Sequence, residues 1–538
     1  MIAKKFLPLW EYACAHSSFE NRVVNKATSI PSDFLRLEIM NYNPLLYLHY
    51  WAKIKPSKRA ILSDALNINY LELSTLINNL SIFFARQGLK KDSTVLTCFL
   101  KKEFEWVCSL ALLQLGCHIG SGHGYTQAQS EKNISHAVVD QPLDSDFSEK
   151  NVIFISQADI LAMTKSDSIC KLDYQNLYSI DCNRVMRFSY TSGTSGIPKR
   201  VDRPMMQIVT SALHHAGMNT YQKQTLDLMR LSSGGSFTHA LVTLIGGHTL
   251  LCSNSLGYTY ALLDKKIARC LSGSPTQIGA LINFIDKRSL PGLTIDLVKY
   301  SGAPVSKTLM ENIKKNLSKK VYVNYGSTEA GAIAGMEIGD SYIPGEVGYV
   351  YPNALVEVLD ENGNACINHE GILRIKSSNM VTSYFHGDQH LTSDNPFKDG
   401  WFYPGDHAIL NKDGFLTIVG RKSDFLNRGG VKINPVELDL AIQNITGIED
   451  AAVFMCDDDM GVPMLVAAVV HSREISNQII MQTLIKDLGH SKTPKCLIKV
   501  DQIPKNHMGK VLRRELSDKY GPAIISQLRK KMQLRNKT

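Results

Sequence analysis

The run Tyr190-Thr191-Ser192-Gly193-Thr194-Ser195-Gly196-Ile197-Pro198-Lys199 crowds hydroxyls, two glycines and a lysine into ten residues. Glycine lets the backbone turn sharply and bring its N–H groups close to a polyphosphate. Thr191, Ser192, Thr194 and Ser195 can donate to phosphate oxygens, and Lys199 adds a point charge. The Walker pattern G-x-x-x-x-G-K-[ST] is absent. A flexible Ser/Gly linker has a similar composition. Val185, Met186 and Phe188 before the run, with Val201 after it, favour a strand–loop element over a linker.

Outward from this loop, helical patterns alternate with short apolar strands. Tyr70 to Gln87 reads as a helix, Ser93 to Phe99 as a strand and Glu105 to Leu115 as a helix. That alternation predicts βαβ units with helices on both faces of parallel sheets. Gly120-Ser121-Gly122-His123-Gly124 lacks the dinucleotide spacing and reads as a turn. Residues 345–420 change character. Leu355 to Leu359, Ile372 to Ile375, Ala408 to Leu410 and Phe415 to Val419 alternate with turn residues, which predicts a hairpin-built β-rich subdomain. After Arg421 a compact α+β pattern follows, with a hairpin, helix Val436 to Asn444 and strands Ala451 to Cys456 and Met464 to His471. The expected architecture is therefore α/β. Residues 1–420 are expected to form a large domain of two βα-layered sheets plus the β-rich subdomain, and 421–538 a small α+β domain. Residues 1–40 carry no motif and read as an appendage. Asp487-Leu488-Gly489-His490-Ser491 reads as a loop.

A chain of 538 residues exceeds one ordinary core. With 44% hydrophobic and 20% charged residues its composition is that of a soluble globular protein. The longest apolar stretch, Trp106 to Gly116, is far too short to span a membrane. No secretory signal is evident. Eleven cysteines lie scattered without a C-x-x-C pair, which argues against a zinc ribbon or disulfide framework and for the reduced cytoplasm. The net charge of +9 is spread along the chain and does not mark a nucleic-acid binder. Its one concentration is Lys519 to Thr538, with six basic residues and no acidic one, which reads as a terminal helix with a solvated face.

Four further motifs follow the opening loop in order: Tyr325-Gly326-Ser327-Thr328-Glu329 after the strand-like Val321-Tyr322-Val323; Tyr403-Pro404-Gly405-Asp406; Gly420-Arg421-Lys422-Ser423-Asp424, leading into Arg428-Gly429-Gly430-Val431-Lys432; and Ile503-Pro504-Lys505-Asn506-His507-Met508-Gly509-Lys510. Together, over roughly residues 40–515, they resemble the adenylate-forming (AMP-binding) superfamily of acyl- and aryl-CoA synthetases, peptide-synthetase adenylation domains and beetle luciferases.

The resemblance implies ATP and Mg²⁺, and CoA or a phosphopantetheine carrier as thiol acceptor. In its terms the 191–199 loop, Gly193 and Gly196 included, holds the β- and γ-phosphates. Thr328 contacts the α-phosphate and Glu329 helps hold Mg²⁺. Tyr325 stacks on adenine, with Gly326 beside it and Ser301-Gly302-Ala303-Pro304 along the other side. Asp406 accepts the ribose hydroxyls and Arg421 pairs with the same region. Lys510 is the mobile lysine whose charge stabilises phosphorus as negative charge builds. The hinge falls at Ser423 and Asp424. Arg200 departs from the family pattern, which has a small residue there, and reads as an outward-facing side chain in preference to an extra phosphate contact.

The segment Leu231 to His239, with Ser233 and Gly234, lies where the family builds its acid pocket. No Asp or Glu occurs from Leu231 to Leu263, which speaks against an α-amino acid as substrate. The expected substrate is a non-amino acyl or aryl acid. The expected acceptor is CoA, with a separate acyl carrier protein as the alternative. A silent nucleotide-binding relative is disfavoured by the presence of Glu329, Asp406 and Lys510. A serine hydrolase is disfavoured by the lack of a G-x-S-x-G elbow.

Overall fold

The computed structural model describes residues 43–122, 133–141, 151–164, 181, 183–191, 199–217, 224–385, 395–421, 424–428, 431–457, 463–471, 475–490, 492–506 and 509–535. The chain divides into two compact units, Met1–Tyr258 with Ser383–His390, and Thr259–Thr382 with Leu391–Thr538.

The first unit holds a six-stranded sheet in the spatial order Asn151–Phe154, His136–Val139, Thr94–Cys98, His118–Ser121, Val185–Thr191, Lys199–Pro204. The first five strands are parallel and the last closes an antiparallel hairpin. A second set pairs Thr225–Asp227, Leu250–Leu251, Arg59–Leu62 and Asn67–Asn69. Helix Tyr70–Arg86 starts where the periodicity places it, with Asn69 and Glu72 forming a reciprocal capping box. Helix Lys102–Gln114 is buried from Glu103 to Leu113, which explains its near-continuous apolar run. Gly120 and Ser121 are not a turn. They close strand His118–Ser121, and a Cβ at Gly120 would stand 2.0 Å from the Phe188 ring. Glycine is there for close packing, not for reversal.

In the second unit, strands Cys270–Gly273, Leu297–Ser301 and Val321–Ser327 run parallel. Helices Pro275–Lys287 and Lys307–Asn316 connect them in βαβ fashion. The sheet then turns antiparallel through Gly331–Glu337, Glu346–Val350, Phe415–Arg421, Asp406–Leu410 and Glu370–Ser377, with Ala354–Leu359 paired to the last. Ala354–Leu359, Glu370–Ser377, Asp406–Leu410 and Phe415–Arg421 contain the four strand segments expected within 345–420, while Gly331–Glu337 and Glu346–Val350 are not among those expected. Further along the chain, Asp450–Asp457, Pro463–Val470 and Cys496–Lys499 form a separate three-stranded sheet. One of its faces packs Leu438, Ile442 and Ile480; the other packs Leu516 and Ile524 of the terminal helix Arg513–Arg535. Asp487 and Leu488 end helix Asn477–Leu488 instead of lying in a loop, and Gly489 terminates it at φ 77°. Among the described residues, no helix is long and apolar enough to cross a membrane.

Candidate functional site

Strand Val321–Ser327 runs four residues further than the apolar triplet suggests and carries Tyr325-Gly326-Ser327 within the sheet. Its ladder with Gly331–Glu337 shifts register between Tyr325 and Gly326. A Cβ on Gly326 would meet the Gly331 carbonyl at 2.2 Å, so only glycine permits the irregularity. That break presents Tyr325 to a cavity of about 1120 Å³ lined also by Ser301, Gly302, Ala303, Pro304, Asp406, Arg421, Asp424 and Lys510. Gly302, at φ 97°, turns the chain off the end of strand Leu297–Ser301 and lays its backbone along the wall.

Asp406 opens its strand opposite Arg421 and is 4% exposed. Its two oxygens are held separately. The Tyr325 hydroxyl donates to Oδ2 at 2.5 Å and Arg421 Nε donates to Oδ1 at 2.9 Å. Burial, reinforced by the Asp406 charge, pushes the Tyr325 hydroxyl well above its ordinary range. Burial alone would lower Arg421, but Asp406, Tyr325 and Asp424 outweigh it and keep the guanidinium charged. The cavity thus holds a fixed carboxylate, a protonated phenol and a cation within one hydrogen-bonded group.

Lys510 Nζ meets Asp424 Oδ2 at 3.1 Å, with the lysine side chain 35% exposed. An ion pair this open contributes about 0–1 kcal/mol, so the ammonium can leave it for a stronger anion. Thr328 and Glu329 follow the strand in a turn. Glu329 is buried, and its carbonyl accepts the Val381 N–H at 2.9 Å. Among the described residues no group of three or more His, Cys, Asp and Glu could hold a metal ion.

Thr191 and Lys199 belong to the first unit, at the ends of the strands that flank the opening loop. Ser192, Gly193, Thr194, Ser195 and Gly196 lie outside the described residues, as does Ser423. Lys199 Nζ stands 4.9 Å over the Tyr384 ring. Arg200 does not face outward. It is 5% exposed, lies between the rings of Phe188 and Phe385 at 4.2 and 4.1 Å, and pairs with Asp202 at 2.6 Å. A guanidinium that stacks on both faces is stabilised inside.

Ser233 caps helix Gly234–Ile245. Arg187 donates to the Leu231 carbonyl and lies 4.0 Å over the Phe237 ring. Burial lowers Arg187 to about 10, against the opposing pull of buried Glu105. Burial likewise raises the Glu105 carboxyl, while Ser121, Arg187 and Thr97 pull it back. Asp227 lies upstream of the same segment. Burial would raise it, but Lys102 at 2.9 Å, with His239 and Ser236, holds it below the usual carboxylate range. Arg187, Glu105 and Asp227 escaped sequence reasoning. The one signal was a charge inside an otherwise apolar run, which does not reveal its partner.

The sequence model described as "AMP-binding enzyme" matches residues 48–385. The long-chain-fatty-acid–CoA ligase of Salmonella typhimurium is 26% identical over 343 residues, covering 61% of this chain. The match spans 60% of that ligase's own length. The 2-succinylbenzoate–CoA ligase of Listeria monocytogenes is 24% identical over 88% of this chain and 99% of its own. Among solved structures, an O-succinylbenzoate CoA synthetase from Bacillus subtilis in complex with AMP superposes with a TM-score of 0.74. It is 20% identical, covering 87% of this chain and 97% of that one. ATP-bound MatB from Rhodopseudomonas palustris gives 0.74 at 21% identity, covering 90% and 99%. At these identities the structural likenesses establish the fold.

Proposed function

The chain belongs to the AMP-binding enzyme family, and from that premise we propose that it activates a non-amino carboxylic acid with ATP and passes the acyl group to the thiol of CoA. A carboxylate oxygen attacks the α-phosphorus of ATP, pyrophosphate leaves, and an acyl-adenylate forms. The thiol then displaces AMP, giving a thioester and releasing a proton. The observation that carries this reading is the cavity lined together by Tyr325, Asp406, Arg421 and Lys510.

Two anions must meet in the first step, so the site needs cations and oriented donors more than a general base. Asp406, fixed at both oxygens, takes the ribose hydroxyls, and Tyr325 presents its ring to the adenine. Lys510 leaves Asp424 for the carboxylate and α-phosphate. Thr328 serves the α-phosphate, while Thr191, Lys199 and the loop between them serve the outer phosphates. A buried carboxylate suits Mg²⁺, which takes one or two protein oxygens and fills its octahedron with phosphates and water. Glu329 would hold it, and the ion would neutralise phosphate charge.

The acid is non-amino because the pocket segment has no carboxylate to spare: Asp227 is already neutralised by Lys102. An unpaired buried ammonium costs several kcal/mol, and each 1.4 kcal/mol is tenfold in affinity. The eight described cysteines are thiols, in keeping with a cytoplasmic home.

The test is pyrophosphate release with ATP across short- to long-chain fatty, aryl and dicarboxylic acids. It includes the pairs phenylpropanoate–phenylalanine and butanoate–2-aminobutanoate. The neutral member should win each pair by about 10²-fold. CoA and a phosphopantetheinylated carrier protein are then compared as acceptors, with CoA expected to be faster. Release with no acid would overturn the activity. Preference for the amino acids would overturn the substrate class, and a faster carrier thiol would overturn the acceptor.

A further inference from the structure

Lys510 is held at its backbone by one residue. The Asn506 Oδ1 accepts the Lys510 N–H at 2.9 Å. The Asn506 N–H donates to the Lys510 carbonyl at 2.9 Å, and the Asn506 carbonyl accepts the Gly509 N–H at 2.9 Å. One side chain and both of its backbone groups therefore hold Gly509 and Lys510. Outside this clasp, Lys505 and Val511 form a β-bridge, and the Leu512 N–H donates to the Pro504 carbonyl at 2.9 Å. Lys505 is itself anchored to Asp450 at 2.6 Å. Gly509 sits at φ 81°, and a Cβ there would stand 3.0 Å from Thr276 Oγ1. The Lys510 backbone is thus fixed from the Asn506 side and by a close approach to the start of helix Pro275–Lys287. The long side chain is the freer part of the residue.

We propose that Asn506 is the positioning residue for Lys510: its carboxamide sets where the lysine backbone stands and hence where the ammonium can reach. The proposal rests on the reading in which Lys510 acts in adenylate formation. Asparagine suits the task because its short acceptor reaches a backbone N–H without ordering a long side chain. Alanine removes the acceptor and leaves the part-buried Lys510 N–H unpaired. A misplacement of about 1 Å in a reacting group lowers rate by about 10²-fold, so a loosened loop should be felt in the chemical step.

The test compares Asn506→Ala with Asn506→Asp, which keeps an acceptor at the same reach, in the full-length protein. Without nucleotide, the amide of Lys510 should exchange with deuterium about tenfold faster in the alanine variant and near the wild-type rate in the aspartate variant. In pyrophosphate exchange the alanine variant should lose about 10- to 10²-fold in kcat, with the KM for ATP within about twofold. Thiolysis of a supplied acyl-adenylate should stay within about threefold, and aspartate should restore adenylation. Unchanged exchange in the alanine variant would show that no anchor exists. Equal loss in both variants, or equal loss in both half-reactions, would reduce Asn506 to a general structural role. If the wild-type protein forms no adenylate, the functional reading fails, while the exchange measurement still decides whether Asn506 anchors the lysine.

Discussion

The phenolic hydroxyl of Tyr325 donates to Oδ2 of Asp406 at 2.5 Å across 81 residues of sequence. With Arg421 on the other oxygen, the carboxylate has one orientation before any ligand arrives. Hydrogen bonds to a charged group contribute about 1.5–3 kcal/mol. Tyr325→Phe keeps the ring and removes the donor, so the KM for ATP should rise about tenfold with kcat little changed. An unchanged KM would show that the bond does not prepare the site.

The same contact has a pH signature. The Tyr325 hydroxyl titrates above its unfolded value of about 10. The native state therefore holds its proton after the unfolded chain has lost it. The stabilisation is intact below about pH 10 and falls as pH rises beyond it. The stability gap between wild type and Tyr325→Phe should narrow from pH 8 to 10.5 in thermal melts. A gap that widens would reverse the sign and contradict the assignment.

Glu329 and Asp406 are assigned different work. Glu329→Gln should require about tenfold more Mg²⁺ for half-maximal rate and lower kcat. Asp406→Ala should raise the KM for ATP at unchanged Mg²⁺ dependence. Parallel Mg²⁺ titrations of the two variants would erase the distinction between metal and ribose roles.

Arg200 is predicted to matter for stability. Arg200→Ser removes a guanidinium from between two rings and strands Asp202, at a cost of about 2–4 kcal/mol. Denaturant unfolding should show the loss directly. A midpoint equal to that of wild type would mean that serine and water replace the stack without penalty.

What was legible in the sequence was local. The Tyr70–Arg86 periodicity and the strand-and-turn pattern of 345–420 each depend on neighbours a few residues apart, so pattern alone carried them. The illegible features join distant segments. Nothing near Asp406 names Tyr325, and the Lys510–Asp424 contact spans 86 residues. Arg200 reads as a surface residue until Phe385 is placed over it. Gly120 reads as a turn until the Phe188 ring is found where its side chain would go. The motifs pointed to which residues gather, while their mutual hydrogen bonds had to come from the fold.

The most direct test of the account is Lys510→Ala assayed in the two half-reactions separately. Adenylate formation, read by pyrophosphate exchange, should fall by about 10²- to 10³-fold or more, because one charge is lost where negative charge develops. Thiolysis of a supplied acyl-adenylate should remain largely intact. Near-normal pyrophosphate exchange by this variant would contradict the central claim that Lys510 drives the first step.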